Sequence, residues 1–175
     1  DYSAPGELAR AATQHVDPSA LIIDAGAGTG LLGAAMKQQG FQNLIALDYS
    51  EKMLAVARGK GLYQKLLQCD LSQPTDLEAA SADALVTCGT TTQVPCASLR
   101  EYVRLVRPGG KILFAAVQGT WEDCGYAEIY KSLEEAGKIS LLERGEPFQM
   151  MPTTEPDFIC EIWVMAVHEG VSVPG

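Results

Sequence analysis

The chain has 175 residues, the size of one domain that can bury a continuous core, and we treat residues 1–175 as a single domain. Hydrophobic residues account for 47% and charged residues for 20%, which argues against disorder, and no apolar run approaches the ~20 residues that cross a bilayer. The 22 acidic residues outnumber the 13 basic ones, and the net charge of -9 repels phosphate backbones, which makes nucleic acid an unfavourable partner.

The cysteine pattern argues against a metal site and for a reducing compartment. The cysteines are Cys69, Cys88, Cys96, Cys124 and Cys160. They lie far apart without a C-x-x-C spacing, and the chain has only two histidines that could join them. We therefore expect no metal. An odd, scattered set of cysteines in a chain without a signal-like start predicts reduced thiols and a cytoplasmic location.

The first half of the chain predicts an alternation of strands and helices. Apolar residues at helical spacing and apolar runs bounded by turn residues give, in order, a helix over 7–16, a strand over 20–24, a helix over 31–39, a strand over 44–47, and a helix from Ser50 to about 59. The glycines at 40 and 59–61 end the second and third helices. Two βα units are thus complete within 61 residues.

The second half continues the alternation and then changes. Strands are predicted over 65–68 and 84–87, joined by a short helical connection over 74–81. A helix over 98–106, a turn over 107–110, a strand over 111–117 and a helix over 126–136 follow. Strands over 139–144 and 158–168, joined by a loop that contains proline, end the chain's predicted elements. The last two strands fit an antiparallel hairpin.

These elements predict an α/β fold of the Rossmann-like type. Strands separated by helices form right-handed crossovers, which build a doubly wound, mostly parallel sheet, here of seven strands with the C-terminal antiparallel hairpin. A ligand of such a sheet binds beyond the carboxyl ends of the strands, where the strand order reverses.

A glycine loop follows the first predicted strand and points to a bound ligand. Gly26, Gly28 and Gly30 lie between the strand and the next helix, where missing Cβ atoms allow a tight turn and close approach to a ligand. Asp48 ends the second strand, 20 residues beyond Gly28, the offset expected for a carboxylate that accepts ribose hydroxyls.

The glycine loop alone leaves two nucleotides open. Gly28, Gly30 and Gly33 satisfy the dinucleotide pattern G-x-G-x-x-G, so an NAD-dependent oxidoreductase is one reading. A pyrophosphate would however have to pass Asp24, whose charge repels it. A cationic sulfonium ligand is compatible with that carboxylate and is the favoured reading.

The motifs resemble those of class I S-adenosylmethionine-dependent methyltransferases. Asp24 and the three loop glycines match the D-x-G-x-G-x-G of that family's first motif. Residues 46–50 resemble its ribose-binding strand end, 69–71 its adenine-contacting segment, 83–89 its fourth strand and 106–111 the turn before its fifth. The resemblance covers nearly the whole chain and implies S-adenosylmethionine as cofactor, with S-adenosylhomocysteine as product.

The resemblance also implies which residues bind this cofactor. They are Asp24, Ala25, Gly26, Gly28, Gly30, Asp48, Tyr49, Ser50, Met53, Cys69, Asp70, Leu71, Thr87, Cys88 and Gly89. Within this set Asp48 is expected on the ribose hydroxyls, Tyr49 against adenine and Asp70 on its exocyclic amine.

A narrower resemblance concerns residues 2–5, 61–63 and 93–96, which are similar to the methyltransferase-like proteins of the Williams-Beuren region. In that group a segment with Tyr and Trp precedes the position of Tyr2 and helps to cover the cofactor. We therefore expect an N-terminal lid segment before residue 1.

No catalytic side chain is identified, because methyl transfer depends mainly on proximity and alignment. The acceptor is expected against residues 89–93 and 118–121, with Trp121 and Tyr126 explained equally well by helix packing. A small molecule or a protein side chain is the expected acceptor. A non-catalytic cofactor-binding module stays open as an alternative, since fold does not fix function.

Overall fold

The structure, a computed structural model, describes residues 2–170. Its helices are α1 (Ala4–His15), α2 (Leu31–Gln38), α3 (Glu51–Gly59), α4 (Ser98–Leu105), α5 (Thr120–Asp123) and α6 (Tyr126–Glu135). Its strands are β1 (Leu21–Ala25), β2 (Asn43–Asp48), β3 (Lys65–Gln68), β4 (Ala82–Cys88), β5 (Val106–Val117), β6 (Ile139–Arg144), β7 (Phe148–Met151) and β8 (Glu155–Val167). Within residues 2–170, no helix has both the length and the hydrophobicity that crossing a bilayer requires.

The strands form one sheet in the order β3-β2-β1-β4-β5-β8-β6, with β7 paired to β8. β1 to β5 are parallel, and β8 runs antiparallel to both β5 and β6. The doubly wound, Rossmann-like α/β fold with its antiparallel C-terminal strands is therefore confirmed. The strand order reverses between β1 and β4, so the carboxyl ends of these strands mark the expected ligand edge.

Helices cover both faces of the sheet, and side chains of each strand alternate between two cores. In β5, Phe114 faces the core that includes α4 and α6, whereas Leu113 and Ala115 face the core that includes α1 and α2. Because both faces are buried, the central strands are mostly apolar.

Aromatic stacking fills the core beside α5 and α6. The ring of Trp121 stacks on that of Trp163 with centroids 4.4 Å apart, and both lie beside Phe114 and Tyr126. Trp121 and Tyr126 are 9% and 4% exposed. Helix packing, rather than contact with an acceptor, therefore accounts for these two side chains.

The prediction of a helical connection over 74–81 is wrong. This segment has no helix, because its polar groups bond to α4 instead. The backbone N–H and the hydroxyl of Thr75 both donate to Oε1 of Glu101, at 2.9 and 2.8 Å, and the N–H of Ala80 donates to the carbonyl of Arg104. These bonds across the chain replace the i to i−4 ladder of a helix.

Three further details differ from the sequence prediction. The sheet has an eighth strand, because part of the proline-containing loop forms β7 against the start of β8. Strand β5 begins at Val106 and runs through the predicted turn, with a register shift opposite Ala82 and Ala84. The short helix α5 was not predicted; its four residues are too few for a periodic pattern.

Gly110 offers a test of the β4–β5 packing. A Cβ atom there would lie 2.4 Å from the carbonyl oxygen of Asp83 and 2.5 Å from Cγ1 of Val106. Gly110→Ala should therefore lower the free energy of unfolding by about 1 to 3 kcal/mol. Chemical denaturation measures this loss.

Gly59→Ala is the matched control, because Gly59 ends α3 and a Cβ atom there meets nothing within 4 Å. Its stability should stay equal or rise by up to about 1 kcal/mol. Equal stabilities of the two variants would contradict the packing described here.

Candidate functional site

A loop of three glycines joins β1 to α2 at the carboxyl edge of the sheet. Gly26, Gly28 and Gly30 have φ of 76°, 54° and 85°, a left-handed conformation that strains residues with a side chain. A Cβ atom at Gly26 would lie 2.0 Å from Cγ2 of Thr90, whereas one at Gly28 would meet nothing within 4 Å. The loop therefore packs against the segment after β4 and leaves open space beside Gly28.

Asp48 holds this loop from the neighbouring strand. Because β1 and β2 are parallel and in register, Asp48 at the end of β2 lies beside the loop. Its Oδ2 accepts a hydrogen bond from the N–H of Gly28 at 2.8 Å, and its Oδ1 accepts one from the N–H of Ser50 at 2.8 Å. One carboxylate thus joins the glycine loop to the start of α3.

Asp24 lies beneath the loop in β1 and is 1% exposed. The hydroxyl of Tyr63 donates to its Oδ2 at 2.6 Å. The pKa of Asp24 is raised to about 7: burial raises it most, the hydrogen bond from Tyr63 opposes this shift, and the nearby charge of Asp48 adds a smaller increase. The carboxyl group is therefore held inside the protein, close to its titration point at neutral pH.

Gly33 makes room for Tyr63. A Cβ atom at Gly33, which lies within α2, would be 2.2 Å from Oη and 2.4 Å from Cζ of Tyr63. The third glycine of the dinucleotide pattern G-x-G-x-x-G thus has a packing role of its own. It lets the Tyr63 ring reach Asp24, and it is no evidence for a pyrophosphate.

A cleft of about 650 Å³ opens above the loop, and we call it the glycine-loop cleft. It is lined by Gly26, Gly28, Asp48, Tyr49, Ser50, Met53, Asp70, Leu71, Ser72, Cys88, Gly89, Thr90, Gln93, Val94 and Pro95. Its volume lies in the range of small-molecule sites.

Apolar and acidic groups set the character of the glycine-loop cleft. Tyr49 and Met53 are 72% and 46% exposed, so large apolar surfaces face its open side. Asp48 and Asp70 are its charged residues, and none of the described lining residues is basic. The cleft therefore favours a ligand with apolar rings, hydroxyl donors and positive charge over one that carries a pyrophosphate.

Comparison with known proteins identifies the family. A family model described as a methyltransferase domain matches residues 23–114, which run from within β1 to within β5 and include the glycine loop. The chain belongs to this methyltransferase family. S-Adenosylmethionine is the cofactor of the family.

Individual relatives of this methyltransferase domain agree with the family. Over 97 residues the chain is 39% identical to human methyltransferase-like protein 27, covering 54% of this chain and 39% of that protein. Over 104 residues it is 36% identical to a ubiquinone biosynthesis O-methyltransferase of Stutzerimonas stutzeri, covering 55% of this chain and 44% of that protein. The matches thus span less than half the length of either relative.

A solved structure shows the same fold. The TehB-like SAM-dependent methyltransferase of Corynebacterium glutamicum superposes with a TM-score of 0.71 at 20% identity, covering 93% of this chain and 87% of that chain. At this identity the likeness concerns the fold alone.

Ten of the residues predicted to bind cofactor line the glycine-loop cleft. They are Gly26, Gly28, Asp48, Tyr49, Ser50, Met53, Asp70, Leu71, Cys88 and Gly89. Segments that are 17 to 20 residues apart in sequence thus meet at one edge of the sheet, because parallel strands end there together.

Five predicted residues do not line this cleft: Asp24, Ala25, Gly30, Cys69 and Thr87. Asp24 was expected beside a cationic ligand, but burial under the loop and Tyr63 remove it from the cleft. Ala25 and Thr87 lie inside the sheet, where the Thr87 hydroxyl donates to the Ala25 carbonyl at 2.7 Å. Cys69 packs against the α4 core, and Gly30 lies under Tyr63.

Sequence reasoning missed other lining residues and the support of the loop. Ser72, Val94 and Pro95 line the cleft without having been assigned to any site. Tyr63 lies 39 positions after its partner Asp24, a distance that local pattern does not reveal. The available signal was Gly33, a glycine inside a helix without any turn role.

The buried Asp24 predicts a pH dependence of stability. Its pKa is about 7 in the fold and 3.8 as the reference for an unfolded chain. The folded state therefore binds the proton more tightly, so stability from this group is complete below pH ~4 and is lost as pH rises through ~7. Relative to Asp24→Asn, wild type should lose on the order of 2 kcal/mol of unfolding free energy between pH ~5 and ~8.

Urea denaturation at each pH measures this difference. Asp157→Asn is the control, because the same chemical change there occurs on an exposed residue of β8. The control should follow the wild-type pH profile. An Asp24→Asn profile parallel to that of wild type would disprove the raised pKa.

Proposed function

We propose that the chain is an S-adenosylmethionine-dependent methyltransferase that binds its cofactor in the glycine-loop cleft and acts by positioning. One observation carries the proposal: the Asp48 carboxylate is fixed on the Gly28 N–H at the strand-order reversal, beside open space. A carboxylate oxygen that accepts one backbone hydrogen bond keeps a free lone pair. Asp48 can therefore accept from both hydroxyls of a ribose without giving up its hold on the loop.

The remaining cleft residues fit the adenine. Tyr49 and Met53 present apolar surface on the open side, and Leu71, which is 5% exposed, forms part of the inner wall. Such surfaces suit an aromatic ring. Asp70, whose Oδ1 accepts from the N–H of Ser72 at 2.8 Å, has a second oxygen for the exocyclic amine.

The end of β4 fits the sulfonium part of the cofactor. Gly26, Cys88 and Gly89 line the cleft there without any cationic group. Burial raises the pKa of the Cys88 thiol to about 12, so the thiol stays neutral at physiological pH. A positively charged ligand meets only neutral and acidic residues in this cleft.

The chain's residues contribute position rather than acid or base chemistry. S-Adenosylmethionine, when bound, supplies an electrophilic methyl carbon. Asp48 and Gly28 orient the nucleoside, and residues that follow β4 line the adjoining part of the cleft. Holding two reactants in line reduces the barrier by about 7 to 11 kcal/mol in well-oriented reactions, which makes proximity sufficient for this chemistry.

The acceptor is a small molecule or a protein side chain in this proposal. The net charge of -9 disfavours nucleic acid. The Stutzerimonas stutzeri relative is named an O-methyltransferase of ubiquinone biosynthesis, which favours a small molecule.

The five cysteines are free thiols, in support of a cytoplasmic site of action.

A cofactor-binding module without turnover is the second candidate. The described residues that line the cleft include no histidine, and their two acids, Asp48 and Asp70, are assigned to the cofactor. No lining residue is therefore left as a general base, which favours this candidate. Formation of S-adenosylhomocysteine with a pool of small-molecule acceptors, measured by mass spectrometry, would exclude it.

Asp48→Ala tests the cofactor site. Loss of the charge-assisted hydrogen bonds should weaken S-adenosylhomocysteine binding by about 1.5 to 3 kcal/mol, which is roughly 10- to 150-fold. Isothermal titration calorimetry measures the affinity, and circular dichroism checks that the fold is retained.

Glu51→Ala is the matched control, because Glu51 lies three residues further on, is exposed and pairs with Arg58 on the helix surface. Its affinity for S-adenosylhomocysteine should equal that of wild type. If Asp48→Ala also binds like wild type, the assignment of the ribose to Asp48 fails.

A further inference from the structure

A second cavity adjoins the glycine-loop cleft on the side of the C-terminal strands. Its volume is about 530 Å³, and we call it the hairpin cavity because Met150 and Met151 of β7 and Phe158 of β8 form one of its walls. It shares Gly89 and Gln93 with the glycine-loop cleft. A ligand in the hairpin cavity would therefore lie next to the end of β4, where the proposed cofactor site ends.

The hairpin cavity differs from the glycine-loop cleft in its chemistry. Its apolar lining includes Ala115 and Val117 of β5, Cys160 and Phe158 of β8, and the two methionines of β7. Its polar lining consists of neutral groups from Tyr2 and residues 91–93. No aspartate, glutamate, lysine, arginine or histidine lines it within residues 2–170.

This lining selects against charged acceptors. A carboxylate, phosphate or ammonium group that entered the cavity would lose its hydration without gaining an ionic partner, which costs several kcal/mol. An apolar molecule gains about 25 cal/mol for each Å² that it removes from water. The cavity therefore suits a neutral, apolar small molecule, and excludes the charged side chain of lysine or arginine.

The lining also restricts the nucleophile. Among its residues, burial raises the pKa of the Cys160 thiol to about 11 and that of the Tyr2 phenol above its usual value, so neither group removes a proton at neutral pH. An amine would arrive protonated and charged. Of the remaining neutral nucleophiles, the cysteine-type thiol has a lower reference pKa than the tyrosine-type phenol, and sulfur is intrinsically the stronger nucleophile.

We propose that the hairpin cavity binds a neutral, apolar small-molecule thiol as the methyl acceptor. This inference rests on the proposed methyltransferase function and specifies its substrate class. The acceptor sulfur forms a bond to the methyl carbon of S-adenosylmethionine, and the bond from that carbon to the sulfonium sulfur breaks, leaving its electron pair on S-adenosylhomocysteine. The thiol proton passes to solvent, and no oxidant or reductant is needed.

The first test compares acceptors that share one carbon skeleton. Wild-type chain and S-adenosylmethionine are incubated with phenylmethanethiol, phenylmethanol, phenylmethanamine or 4-methylphenol, and with mercaptoacetate as a charged thiol. Mass spectrometry follows S-adenosylhomocysteine and the methylated product, with reactions lacking protein subtracted. We expect kcat/KM for phenylmethanethiol to exceed that for each other compound at least tenfold.

The second test places a charge in the hairpin cavity. Phe158→Glu changes a lining residue that is 43% exposed, so the fold should tolerate it. We expect at least a tenfold loss of kcat/KM for phenylmethanethiol, with unchanged affinity for S-adenosylhomocysteine. Leu142→Glu on β6 is the matched control, because Leu142 is 50% exposed and lines neither cavity. Its kcat/KM should equal that of wild type.

A further readout does not depend on turnover. Benzyl methyl sulfide, the product expected from phenylmethanethiol, should bind the wild-type complex with S-adenosylhomocysteine in calorimetry, and bind Phe158→Glu at least tenfold more weakly. Equal binding to both proteins would overturn the assignment of the cavity.

The outcomes separate the two proposals. If wild type binds S-adenosylhomocysteine but methylates the alcohol, the amine, the phenol or the charged thiol as fast as phenylmethanethiol, the assignment of a neutral, apolar thiol as acceptor is wrong and the cofactor site stands. The same holds if cofactor binds and the thiol is not methylated. If S-adenosylhomocysteine does not bind, the proposed function itself fails.

Discussion

The contact between the Asp48 carboxylate and the Gly28 N–H is the interaction on which the site depends. The glycine loop turns through left-handed conformations that give it little stability of its own, since glycine loses much conformational freedom on folding. Asp48 fixes the loop at its middle and the start of α3 at the Ser50 N–H. The glycine loop and the start of α3, which line the proposed cofactor site, are thereby held in one position before a ligand binds, which lowers the entropy that binding costs.

A second layer supports the loop from inside the protein. Tyr63, placed by the space beside Gly33, donates to Asp24 directly below the loop. Asp24 cannot contact a ligand in the cleft, but its charge state alters the field under the loop because its pKa lies near 7. Sequence reasoning assigned this acid to the ligand, whereas the structure places it beneath the loop.

Local patterns predicted the βα alternation and the position of Asp48. Buried strands, helix caps and glycines leave traces within about ten residues, and parallel strands then bring their carboxyl ends together without further information. Contacts between residues far apart in sequence could not be predicted from such local patterns. The pairing of Tyr63 with Asp24, the bonds from Thr75 to Glu101 and the addition of β7 each depend on tertiary packing that the local sequence does not encode.

The residues that line the two cavities also divide into those that the sequence could place and those that it could not. Gly26, Cys88 and Gly89 could be placed at one edge of the sheet by strand order, whereas Phe158 and Met150 could not be placed beside Gly89. Their approach requires β8 to pair with both β5 and β7, and the sequence predicted neither β7 nor its register.

Thermal unfolding with S-adenosylhomocysteine and NADH in parallel tests the central claim most directly. A ligand at about 100 times its dissociation constant adds roughly 2.7 kcal/mol to the folded state. For a chain of 175 residues this raises the midpoint by about 5 to 11 °C. We expect that shift with S-adenosylhomocysteine and none with NADH; a shift with NADH alone would contradict the account.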